Sequence, residues 1–136
     1  MERNVLVDAG FLVALLALQD SQHGWAKEQA PQYPLPWYTA EAVVSEAFYL
    51  LGTQGMPSLA KLLSRGSLLL NFVLADQREP VLRLMQKYSD VPMSLADACL
   101  VRMTEILPDP ILLTVDQDFR IYRRHGRQTI PCATPE

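Results

Sequence analysis

The chain has too few cysteines for a disulfide framework: it carries Cys99 and Cys132 only. Neither has a second Cys or a His at metal-ligand spacing, which also argues against a zinc knuckle and fits a reducing, cytoplasmic setting. A long apolar run is missing as well. The longest, residues 11–18 and 68–74, fall far short of the roughly 20 residues that a spanning helix needs, so no membrane crossing is expected. Met1, Glu2, Arg3 and Asn4 lead straight into a strand-like run, without the basic start and small-residue cleavage site of a signal peptide, so secretion is not expected either. Finally, there is no excess of positive charge. Twelve Lys and Arg face fifteen Asp and Glu, a net −3, which argues against a protein that coats nucleic acid through its overall field.

What is present is an apolar fraction of 49% in 136 residues, enough for one compact domain, 1–136, with a real core. Val5, Leu6 and Val7 read as a short strand buried on both faces, broken by Gly10. Residues 11–18 and 23–30 are helix candidates, the second ended by Pro31. A proline-bearing loop then enters a short strand near Trp37 and Tyr38. Thr39 is a good N-cap for a helix to about Leu51, closed by Gly52. Residues 57–64 predict a further helix, 68–74 a strand in their first half, and 76–87 a helix with Pro80 in its first turns. Ser94 caps a helix to about Leu107, residues 111–115 form a second buried strand, and residues 128–131 a closing one. Strands alternating with helices predict an α/β domain, a three-layer α/β/α sandwich around a mostly parallel sheet.

Four carboxylates stand out. Asp8 and Asp116 each follow an apolar strand, at the end where open α/β sheets bind ligands, although Asp also caps turns at such places. Asp97 lies three residues after Ser94 in a capping box, near the positive end of a helix dipole. Glu46 has Ala42, Val43, Tyr49 and Leu50 as helical neighbours, an apolar surface expected to face the core, where an unpaired carboxylate is costly. Clustered carboxylates suit a hard octahedral cation, so Mg²⁺ or Mn²⁺ is the natural guess. Such an ion acidifies water, orients it for in-line attack on a phosphodiester and stabilises the departing oxygen. Arg120, Arg123, Arg124 and Arg127 crowd the last fifth of the chain around His125. They read either as solvated surface or as contacts to RNA phosphates, with Arg120, Arg123 and Arg124 as the RNA-binding candidates.

These residues resemble the PIN domains, and within them the VapC-type toxins of toxin-antitoxin pairs. Residues 5–16 (VLVDAGFLVALL) look like the opening strand, first acid and helix, and residues 39–46 (TAEAVVSE) like the segment bringing the second acid. Residues 87–98 (KYSDVPMSLADA) carry the third, and residues 113–119 (LTVDQDF) are similar to the fourth motif. The resemblance implies a Mg²⁺- or Mn²⁺-dependent endoribonuclease, inhibited by a small antitoxin protein and commonly a homodimer. Its functional acids would be Asp8, Glu46, Asp97 and Asp116, with Asp118 a possible alternate ligand. One position departs from the pattern: residue 10 is Gly, where the family often has a Ser or Thr whose hydroxyl supports the acids. Thr114 and Ser94 could supply hydroxyls instead.

Three rivals remain open at this level. A metal-free ribonuclease would use His23 and His125 as acid and base. A haloacid-dehalogenase or receiver-type domain also places Asp at a strand end, but Asp8-Ala-Gly lacks the second aspartate expected two residues on. A catalytically weak PIN-fold protein-binding module is kept alive by Gly10. Trp25, Trp37 and Tyr38 could stack unpaired bases or pack in the core.

Overall fold

The computed structural model describes residues 3–136. Met1 and Glu2, which entered the reading of a non-secretory start, lie outside the described residues. Five parallel strands form the central sheet in the order β3-β2-β1-β4-β7: β1 (Asn4–Val7), β2 (Trp37–Thr39), β3 (Leu68–Leu70), β4 (Pro110–Leu113) and β7 (Cys132–Ala133). The helices α1 (Ala9–Leu16), α2 (His23–Gln29), α3 (Glu41–Ser64), α4 (Arg78–Lys87) and α5 (Leu95–Ile106) flank it. The result is the expected three-layer sandwich. Strand β4 is buried at every position and β1 at all but Asn4, which is why both read as unbroken apolar runs: a strand covered on two faces has no polar side to alternate with.

Local signals explain most boundaries. Asp8 caps α1 through Phe11 N–H, and Ser94 and Asp97 form the reciprocal capping box that starts α5. Gly52 breaks α3 with φ 66°, a left-handed value that glycine adopts without steric cost, yet the helix resumes at once instead of ending there. Two expectations need correction. Thr39 does not cap α3: it ends β2, and its buried hydroxyl donates to the Val7 carbonyl at 2.8 Å, tying β2 to β1, while Ala40 takes the cap position without a side-chain bond. The closing strand forms slightly later than residues 128–131: of these only Pro131 reaches the sheet, its carbonyl accepting Leu112 N–H at 2.9 Å. Gln128–Thr129 (β6) pairs antiparallel with Arg123–Arg124 (β5) in a separate hairpin, and the closing strand is β7, reached after Pro131.

The hairpin owes its shape to a tight turn. His125 and Gly126 both take positive φ, 52° and 80°, and Arg127 N–H returns to the Arg124 carbonyl. Its strands are anchored to the body by arginine. Arg123 donates to the carbonyls of Arg120, Ile121 and Tyr122, and Arg124 donates through Nε and Nη2 to the Thr104 carbonyl in the last turn of α5. These two RNA-binding candidates thus brace the hairpin, Arg123 through Nη1 alone. Arg120 is exposed and donates to the Thr134 hydroxyl at 2.9 Å.

This anchoring predicts that Arg124→Ala destabilises the protein by about 1.5–3 kcal/mol, the range for hydrogen bonds made by a charged group. Arg127→Ala, on the exposed turn, should stay within about 0.5 kcal/mol. Urea unfolding of the two variants checks the contrast, and equal midpoints would remove the anchoring role.

Candidate active site

The sheet's parallel direction brings the ends of β1 and β4 together, with Val7 registered against Leu113. Asp8 follows the first and Thr114 the second, and the two side chains meet. Thr114 Oγ1 donates to Asp8 Oδ2 and accepts the Asp116 N–H at 2.9 Å. One buried hydroxyl therefore fixes two of the four acids. The other Asp8 oxygen accepts Phe11 N–H at 2.8 Å, and Asp116 Oδ1 accepts Asp118 N–H at 2.9 Å. Asp97 arrives on the first turn of α5, its Oδ2 accepting Ser94 N–H at 3.2 Å and its own N–H donating to the Ser94 hydroxyl. The capping role and the site role of Asp97 thus coexist.

Asp8, Glu46, Asp97 and Asp116 line one cavity of about 150 Å³, together with Gly10, Leu50 and other apolar residues of α1, α3 and α5. No Lys, Arg or His is among its lining residues. Burial drives the electrostatics. Asp8 is 5% exposed, and loss of hydration pushes its carboxyl from 3.8 up to about 7; the bonds from Thr114 and Phe11 oppose this, and the charges of Asp116 and Asp97 add to it. Asp97 is pushed up too, first by burial and then by the charges of Asp116 and Glu46, against its bonds with Ser94. Hence the four groups feel one another across the cavity as like charges.

Glu46 is not where the apolar neighbours placed it. The face of α3 that enters the core is Val43, Val44 and Ala47, whereas Glu46 is exposed, with Tyr49 and Leu50 also outside, at 85% and 54% exposure. It reaches the cavity from the rim. Asp118, held as an alternate ligand, is half-buried and does not line the cavity. Trp37 is buried, with its ring edge-on to Phe11 and its indole N–H on the Tyr33 carbonyl, so it is a core residue and not a base platform. Trp25 also packs edge-on against Phe11. Of the histidines, His23 Nδ1 lies 2.9 Å from the Ala14 carbonyl, His125 sits on the hairpin tip, and neither lines the acid cavity.

Gly10 now has a steric reason. A Cβ at this position would meet Val115 Cγ2 at 2.7 Å, closer than two carbons can stand. Val115 fills the space that a residue-10 side chain would need, and Thr114 supplies the hydroxyl. Among the described residues no three His, Cys, Asp or Glu side chains are grouped tightly enough to hold an ion unaided. The donor set still suits Mg²⁺ or Mn²⁺: these ions keep several waters and need only one or two direct carboxylates, and an all-carboxylate cavity has nothing to offer zinc.

No protein-family model matches the sequence, and no curated protein is significantly similar to it. Among solved structures, the crystal structure of Mycobacterium tuberculosis VapC20, a sarcin-ricin loop cleaving toxin, matches with a TM-score of 0.72 and 21% identity, over 80% of this chain and 87% of that one. The likeness shows that this chain shares the fold of that protein.

Two outcomes are expected. For Asp8 the folded state holds a proton that the unfolded chain has released between pH 3.8 and about 7, so stability falls as pH rises through that window and the loss persists above it. The loss amounts to about 4 kcal/mol. In chelator, the parent's melting temperature should drop across this range, and Asp8→Asn should flatten the drop; a parallel curve for the mutant would refute the assignment. Separately, Gly10→Ser should cost about 1–3 kcal/mol through overpacking, and Val115→Ala should recover most of that loss in the double mutant. Strict additivity of the two changes in thermal melts would show that no contact links them.

Proposed function

We propose that the chain is a metal-dependent endoribonuclease, the toxin of a toxin-antitoxin pair. The observation that carries this reading is the meeting of Asp8, Glu46, Asp97 and Asp116 in one cavity without a counter-charge, at the carboxyl end of a parallel sheet. Its fold is that of a toxin described as cleaving the sarcin-ricin loop, which supports RNA as the substrate class. Mg²⁺ or Mn²⁺ would be held by Asp8, Asp97, Asp116 and Glu46, partly through water. Its chemistry, when bound, is to acidify a water molecule and to offset charge on the departing oxygen.

The chain's own residues set the stage for that chemistry. Asp8, clamped by Thr114 and Phe11, presents a fixed carboxylate at the cavity floor. Asp116 is held to the same hydroxyl through its backbone, and Asp97 is fixed by Ser94, so three acids are oriented before substrate arrives. Glu46, exposed at the rim, is the acid free to rotate and to accept a proton from water. Burial disfavours charge on Asp8 and Asp97, so a cation has to compete with protons there, and its binding strengthens as pH rises. A small antitoxin protein as inhibitor and a homodimer as the working form complete the proposal. Among the described residues no helix is long and apolar enough to cross a membrane.

Purified protein should cleave single-stranded or loop RNA with Mg²⁺ or Mn²⁺, stop on chelation and leave 5′-phosphate ends. Glu46→Gln should slow cleavage by roughly 10² or more if it moves a proton, and Asp8→Asn and Asp116→Asn should abolish it. End-group analysis is decisive: cleavage that survives excess chelator and leaves cyclic phosphate means attack by the RNA 2′-hydroxyl, and the reading fails.

A further inference from the structure

We propose that Tyr122 is a positioning residue of the acid cavity: its buried hydroxyl tethers the linker that precedes α5 and so sets where Asp97 stands relative to Asp116. This rests on the metal-dependent reading above. Thr114 joins Asp8 to Asp116, but among the described residues no hydrogen bond joins Asp97 to either of them. The side chain and the N–H of Asp97 bond only to Ser94, within the same turn. The capping box therefore orients Asp97 within α5 and says nothing of where that turn lies beside Asp116. Buried Met93, Ala96 and Ala98 seat the turn on the core, but apolar contacts are non-directional and resist small shifts weakly.

The linker, residues 89–94, runs from the end of α4 to the Ser94 cap, and Ser89, Asp90, Pro92 and Ser94 in it are exposed. Its backbone bonds are local: Ser89 N–H to the Gln86 carbonyl at 3.3 Å and Val91 N–H to the Tyr88 carbonyl at 3.0 Å. One bond reaches across. The Tyr122 hydroxyl donates to the Pro92 carbonyl at 3.3 Å, two residues before the cap, and among the described residues no other hydrogen bond ties 89–93 to a distant part of the chain. Proline has no N–H, so this carbonyl is the one backbone group it can offer. The start of the linker is held by the neighbouring ring: the Tyr88 hydroxyl accepts Arg123 N–H at 3.0 Å, and the Tyr88 and Tyr122 rings pack edge-on at 5.1 Å. Residues 122 and 123 thus grip both ends of the linker.

Tyr122 can anchor the linker because it is itself bound to the turn that Asp116 starts. Asp116 Oδ1 accepts Asp118 N–H, Tyr122 N–H returns to the Asp118 carbonyl at 3.2 Å, and the Tyr122 ring stands edge-on to Phe119 at 5.3 Å, both rings fully buried. A bonded path therefore leads from Asp116 through Asp118, Tyr122 and Pro92 to Ser94 and Asp97. The path works against a load. Asp97 lines one cavity with Asp8, Glu46 and Asp116, without a basic residue among them, so their ionised forms repel and push the start of α5 outward. The first turn of a helix is where fewest intrahelical bonds oppose such a push. A phenylalanine would fill the space of the ring equally well, so packing alone accounts for the aromatic and leaves the hydroxyl to the tether.

The test sets Tyr122→Phe, which removes the tether and keeps the ring, against Leu59→Val, a packing loss at a buried position of α3 that does not line the cavity. Amide hydrogen exchange is measured in chelator, and the melting temperature is titrated with Mg²⁺. In Tyr122→Phe the Asp97 and Ala98 amides should exchange faster by about 3- to 10-fold relative to the last turn of α5, the span of one neutral hydrogen bond. The Mg²⁺ concentration needed for a given rise in melting temperature should increase by about the same factor. With RNA, kcat should fall while KM stays near the parent's, because the hydroxyl lies inside the protein. Leu59→Val should melt lower and change neither the relative exchange nor the Mg²⁺ response. Where Mg²⁺ stabilises the parent, an unchanged exchange rate or an unchanged Mg²⁺ response in Tyr122→Phe overturns the proposal, as do equal changes in Leu59→Val. If the Asp97 and Ala98 amides quicken in Tyr122→Phe but Mg²⁺ fails to stabilise even the parent, the tether stands and the metal-dependent reading falls.

Discussion

The structure depends on a single buried hydroxyl. Thr114 ends the run from β4 and Asp8 ends β1, and because these strands are adjacent and parallel, their ends meet at a place sealed by α1 and the core. A carboxylate buried there without a partner would be costly enough to strand itself. Thr114 supplies a donor to Asp8 and an acceptor to the Asp116 backbone, so one side chain couples the first and last acids, 108 residues apart in the chain. Among the described residues no buried side-chain polar atom lacks a partner, including this one. The arrangement also fixes what position 10 can be. A Cβ at residue 10 would stand 2.7 Å from Val115 Cγ2, so a side chain there requires Val115 to move.

That clamp has a thermodynamic consequence. Three of the four acids are immobilised by hydrogen bonds made for geometry and not for charge neutralisation, since the cavity contains no cation of its own. Burial pushes the Asp8 carboxyl up to about 7 and raises that of Asp97, so the folded chain carries the cluster at a cost to stability near neutral pH. Any cation that binds the folded site and not the unfolded chain recovers part of that stability by mass action. Stability and ligand binding are thus coupled through the same residues, which is the usual position of a preorganised polar site.

Much of this was legible in the sequence, and the failures have a common cause. Strands β1 and β4 read directly because burial on both faces leaves an apolar run ended by an acid, and α5 read directly because its cap is local. Four acids spaced along the whole chain could be assembled because each stood at an element's end or first turns. Glu46 was assigned to the cavity for an incorrect reason. Apolar neighbours at helical spacing imply a core face, yet Tyr49 and Leu50 lie outside, and only the packing of α3 shows that the stripe entering the core is rotated toward Val43 and Ala47. Thr39 and the closing strand failed similarly. A threonine before a helix and a β-branched pair after a turn carry the same local signal whether or not a distant strand claims them, and here Val7 and Leu112 decided.

The arginines show the limit most clearly. Four of them in the last fifth of the chain form one cluster by sequence, but the fold sorts them by what each can reach. Arg123 and Arg124 lie on a two-residue strand, and carbonyls at the ends of a short helical turn and of α5 accept them, so their guanidinium groups are held against the fold. Arg83 and Lys87 come from a helix whose sequence looks like an ordinary solvated face, and no spacing rule singles them out. They become a charged surface only because Gln77, Arg102, Glu105 and the hairpin tip build a wall opposite them and neutralise the one acid within it. The distribution of free charge is therefore a tertiary property. Acids converge at the sheet's carboxyl end, bases line a groove on another face of α5, and a net charge of −3 conceals both.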